Sequence, residues 1–129
     1  MLRQDYITRM VQEMVRMLLK LSFGIDADAP DLDMFHDEQA RKRAEHLLAL
    51  ADQGKIDEAE NELSDILDSC APEHMQIGLL FYWHLNEKED NFLEAHDFSR
   101  EEIRDGLEQV VKDSGMKDLA EAFLEIRQD

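Results

Sequence analysis

The chain has 129 residues, enough for one domain and hardly two, and its 43% hydrophobic content allows one continuous core without disulfides or metal. Acidic residues number 31 against 14 basic ones; the net charge of −17 repels nucleic-acid backbones and anionic lipid surfaces and excludes both as main partners. The single cysteine, Cys70, cannot form an internal disulfide, and no apolar stretch approaches the ~20 residues that span a bilayer. Arg9, Arg16 and Lys20 interrupt the apolar positions that a signal peptide would need, so the expected address is the cytoplasm.

Two prolines and five glycines leave room for long helices, and no alternating β-branched run predicts a strand. The first helix is expected to start after Asp5 and to run to Phe23, where Gly24 ends it. Its seam of Ile7, Val11, Met14, Leu18 and Leu21 is widened by Tyr6, Met10 and Met17 on one side and by Val15 and Leu19 on the other. At 100° per residue this apolar arc covers about 220°, and Arg9, Gln12, Glu13, Arg16 and Lys20 fill the remaining stripe. Residues 25–37 read as an extended acidic linker around Pro30. A second helix over 37–53 turns Ala40, Ala44, Leu47, Leu48 and Leu50 inward, with Gly54 as its C-terminal cap. Asp57 is the expected cap of a third, with Ala59, Leu63, Ile66 and Leu67 inward and an end near Cys70. Pro72 suits the first turn of a fourth, running to Asn86 and apolar almost all round, which makes it the expected centre. A short turn over 91–96 follows, then a helix opened by the capping box Ser99 and Glu102 and carrying Ile103, Leu107, Val110 and Val111. A last helix is expected over 116–127, with Leu119, Ala122, Phe123 and Ile126 inward. The expectation is an all-α bundle of six or seven mostly antiparallel helices in a single domain, residues 1–129, made of the amphipathic helix 1–23, the linker 25–37 and a helical body 37–129.

Gly54, Ala59 and Leu63, followed by Pro72, resemble the turn and second helix of a tetratricopeptide repeat, in a hairpin near residues 37–70. Leu47 and Ile66 depart from the motif's small residues, and the chain has no room for three copies. Across most of its length, through Gln4-Asp5-Tyr6-Ile7-Thr8-Arg9-Met10, this hairpin and Phe98-Ser99-Arg100-Glu101-Glu102-Ile103, the chain is similar to an uncharacterised family of small acidic all-helical proteins from Gram-positive bacteria. That resemblance implies a fold and no activity, cofactor or catalytic residue.

The residues themselves form no catalytic constellation. Counted from Asp26, the sixth and fifth places of a calcium loop hold Asp31 and Pro30, where a glycine and an oxygen ligand are required. His36, His46, His74, His84 and His96 make no pair at a spacing of three or four, and no Glu-x-x-His or His-Glu-x-x-His occurs. Cys70 falls at a helix C-terminus, where the dipole opposes a thiolate, and no serine sits in a Gly-x-Ser-x-Gly turn. Phe81-Tyr82-Trp83-His84 reads as core, with the Tyr82 hydroxyl and Trp83 N–H reaching partners at its edge. No enzyme, metal or cofactor is therefore expected.

The charge is uneven: residues 1–23 hold four basic side chains against two acidic ones, ahead of a strongly acidic body. A basic, methionine-rich helix with so wide an apolar arc points to a noncatalytic protein–protein interaction module, expected to self-associate as a homodimer through this helix. The candidate interface is Tyr6, Arg9, Met10, Met14, Arg16, Met17 and Leu19, with Arg9 and Arg16 at its rim. The alternative is a small-molecule or metal-binding regulatory domain, which a pocket lined by Tyr82, Trp83 and His84 would favour.

Overall fold

The computed structural model describes residues 2–69 and 71–113. Among them are six α-helices and no strand: α1 Leu2–Phe23, α2 Glu38–Asp52, α3 Ile56–Leu67, α4 Pro72–Asn86, α5 Asp90–Ala95 and α6 Arg100–Asp113, with a 3-10 turn at Leu32–Met34. The protein is an all-α bundle. The expected last helix, 116–127, lies outside the described residues.

Helix α4 is the hub, because it is apolar almost all round and is stable mainly when enclosed. Met75, Ile77, Leu79, Leu80, Phe81, Tyr82, Trp83 and Leu85 are all buried. Helix α1 crosses it antiparallel: Asn86 Nδ2 donates to Thr8 O at 2.9 Å, and the Arg16 guanidinium lies 5.3 Å over the Trp83 ring. Helix α6 is also antiparallel to α4, with Val110 beside Gly78 and the Tyr82 ring against Gly106. Helix α2 runs parallel to α4, pairing Arg43 with His74 near one end and Asp52 with His84 near the other. Helix α3 folds back on α2 through a turn at Gly54, whose φ of +82° is open to glycine at little cost.

Local signals explain most boundaries. Asp37 caps α2 by accepting from Ala40 N–H at 2.9 Å. Ser99 and Glu102 close a reciprocal box at the start of α6: Glu102 N–H donates to Ser99 Oγ, and Ser99 N–H to Glu102 Oε1, each at 3.1 Å. Two starts differ from expectation. Helix α1 begins at Leu2 and α3 at Ile56, so Asp5 and Asp57 sit inside the first turn. There a carboxylate stabilises the positive end of the helix without capping it.

The segment 25–37 is not an extended, wholly solvated linker. Its aspartates face water, but Pro30 and Phe35 are buried and Ile25, Leu32 and Met34 pack against the core. Arg16 fastens it to the bundle, donating from Nε to Asp28 O at 2.8 Å.

Candidate functional site

The seven residues of the expected interface fall into two groups. Met10, Met14 and Leu19 are buried in the protein's own core, so their place in the expected interface is corrected. With α4 on one flank and α6 beside it, the buried residues of α1 span about 180° at 100° per residue, more than one flank would cover. Arg16 is turned away from the expected rim, onto Trp83 and the segment around Asp28. Tyr6, Arg9 and Met17 remain exposed. Tyr6 at 47%, Met17 at 37% and Leu21 at 65% exposure are the exposed large hydrophobics among the described residues, and all three lie on α1 within an arc of about 60°. Arg9 and Lys20 border that strip.

Elsewhere the polar side chains pair in ways that consume their reactivity. Arg43 Nη1 stands 3.3 Å from His74 Nε2. Because guanidinium only donates, Nε2 accepts, and the proton sits on Nδ1. Nδ1–H then donates to Ser69 Oγ at 2.9 Å, whose hydroxyl donates to Ile66 O at 2.9 Å. This histidine cannot take the serine proton, so the pair is a lock on the α3–α4 connection. Asp52 binds both His84 Nε2, at 2.7 Å, and Lys88 Nζ. Burial raises the Asp52 carboxyl, but those hydrogen bonds and charges outweigh it and hold the group below the usual carboxylate value. His46 and Glu62 join α2 to α3 at 3.1 Å. Among the described residues no group of three His, Cys, Asp or Glu side chains is placed to hold a metal ion.

The aromatic stretch of α4 splits between two faces. The Tyr82 hydroxyl donates to Glu60 Oε2 at 2.6 Å on the α3 side. Burial pushes the Glu60 carboxyl up, and the neighbouring Asp57 and Glu102 charges add to this against the Tyr82 bond; the Tyr82 hydroxyl is itself driven well above its ordinary value by burial and the Glu60 charge. Trp83 and His84 instead line a groove of about 380 Å³ with Arg41, Glu87 and the Pro30–Asp33 segment. Tyr82 does not reach it, and Arg41 is turned toward Asp33 at 3.6 Å.

Four buried polar side chains among the described residues, Arg100, Asn86, Gln76 and Glu108, carried no sequence signal. Arg100 is 7% exposed; it donates to Asn86 O, Lys88 O and Asp90 Oδ1 at 2.7, 2.8 and 2.8 Å, closing the C-terminal end of α4. Asn86 is 2% exposed, and its Oδ1 has no partner among the described residues. Gln76 is 8% exposed, between the buried Met75 and Ile77 of α4.

The fold and its surface thus define a small acidic α-helical bundle with a narrow apolar strip on its first helix. Residues 1–115 match a family of unknown function, DUF6483, and the chain belongs to that family. No match is found among the curated proteins or the solved structures. No helix of the described residues is long and apolar enough to cross a membrane.

Proposed function

We propose that the protein is a noncatalytic, cytoplasmic interaction module that pairs with a second copy of itself through α1. The observation that carries this reading is the grouping of Tyr6, Met17 and Leu21 on one arc of one helix. A two-fold, antiparallel pairing centred between Glu13 and Met14 sets Tyr6 opposite Leu21 of the second copy, and Met10 opposite Met17, so one short strip covers itself. Met10 joins only through its small exposed remainder. The flanking Arg9 and Lys20 then lie at the rim, near an acidic body, where they favour orientation more than affinity. The contact surface is therefore Tyr6, Arg9, Met17 and Leu21, narrower than the amino-acid pattern alone suggests.

The α2–α3 hairpin fits the same reading as a tetratricopeptide-like scaffold: Gly54 makes the turn, while Ala59 and Leu63, both buried, pack closely beneath it. Its role is to hold α4, and through it α1, in place.

Sedimentation at micromolar concentration tests the proposal. The wild-type protein is expected to be dimeric, and the double variant Met17→Glu, Leu21→Glu monomeric with unchanged helix content, since both side chains are exposed in the folded monomer. A strictly monomeric wild type rejects self-association.

A further inference from the structure

A second surface stands apart from the α1 strip. Where α1 ends and α2 and α4 begin, Phe23, Ile25, His36, Asp37, Glu73 and Gln76 line an open cleft of about 440 Å³. That size lies within the roughly 300–1,000 Å³ of small-molecule sites. Gln76 is its unusual member. Its neighbours Met75 and Ile77 are fully packed, Gln76 itself is 8% exposed, and among the described residues its side-chain amide makes no hydrogen bond. The packed stem of Gln76 therefore holds its amide at the wall of the cleft, where it is satisfied by whatever fills the cleft, water or a ligand.

We infer that this cleft binds a small organic cation: an ammonium group carried on an apolar body. Phe23 and Ile25 supply an apolar wall, and an aromatic ring attracts a cation. Asp37 and Glu73 supply full negative charges. Asp37 spends only Oδ2 on its cap, leaving Oδ1 for a ligand. The beginnings of α2 and α4 also meet here, and helix N-termini favour anions, but each amounts to about half a charge and already faces its own carboxylate. The carboxylates therefore set the sign, and the Gln76 carbonyl accepts from the ammonium beside them.

The probe is 2-phenylethylammonium, with 2-phenylethanol and 3-phenylpropionate as neutral and anionic controls. The readout is the Gln76 side-chain NH2 signal in nitrogen-15 NMR, identified by its loss in Gln76→Leu. The amine should shift that signal saturably with a Kd of about 1 mM or tighter, and the controls should bind about tenfold more weakly or not at all. Followed through backbone amides lining the cleft, Gln76→Leu and Glu73→Gln should each weaken the amine about tenfold while keeping the wild-type helix content. Equal shifts from all three probes, or no saturable shift by about 10 mM amine, overturn the inference and leave Gln76 solvated by water. The α1 strip takes no part, so the outcome is independent of whether the protein dimerises.

Discussion

At Gly106 the Tyr82 ring occupies the space that a Cβ would take, and this close approach lets the hydroxyl reach Glu60. Gly106→Ala must push the ring aside and strain α4 against α6; a loss of about 1–3 kcal/mol in denaturant unfolding is expected. A change below a few tenths of a kcal/mol would show that the ring moves freely. Glu60 yields a prediction of opposite sign. Burial raises its carboxyl, and Asp57 and Glu102 repel its charge. A raised carboxyl binds its proton more tightly in the folded state, so its contribution is full below the ordinary carboxylate range and declines as pH rises through the folded value. At pH 7 the charge is a liability. Glu60→Gln keeps an acceptor for the Tyr82 hydroxyl and removes the charge, so its melting temperature should exceed wild type at neutral pH. The gain, only a few tenths of a kcal/mol after solvent screening of a half-exposed group, should vanish toward pH 4. A less stable variant at pH 7 would mean that the charged Tyr82–Glu60 bond outweighs the repulsion.

At the scale of the element, the amino-acid order reveals the helices better than their neighbours. Asp37, Gly54, Pro72 and the Ser99–Glu102 box mark ends because caps are local chemistry, readable within four residues. The central place of α4 is legible for a related reason: a helix without a polar face has nowhere else to go. Arg100 is the counterexample. A charged residue in a first helical turn reads as solvated, and only the return of the chain past α5 brings it under the last carbonyl of α4 and that of Lys88 just beyond. Met10, Met14 and Leu19 are illegible in the same way. Periodicity measures how wide an apolar arc is, whereas the number of helices that cover it depends on α6, some eighty residues away. Arg100→Leu should cost about 2–4 kcal/mol, because two buried carbonyls and Asp90 lose their donor. Arg100→Lys should recover only part, since one ammonium cannot span three acceptors. An Arg100→Lys variant as stable as the wild type would show that the charge matters and the fork does not.

For the whole molecule the dominant quantity is the net charge of −17, which opposes both compaction and the approach of a second copy. Salt shortens the reach of that repulsion, from a Debye length of ~14 Å near 50 mM to about 4–5 Å near 500 mM. Two forces at the α1 strip respond in opposite directions. Tyr6, Met17 and Leu21 gain from leaving water whatever the salt, whereas Arg9 and Lys20 at the rim lose their attraction for the acidic body as salt rises. If the apolar strip supplies the affinity, screening the mutual repulsion of two acidic bodies is the larger effect. Self-association should then tighten by about tenfold across that salt range, and the melting temperature of the monomer should rise with it. The measurement is a sedimentation isotherm at each salt concentration, repeated on Arg9→Gln. Association that weakens with salt, and is abolished by Arg9→Gln, would place the binding energy in rim ion pairs and remove the strip from the mechanism.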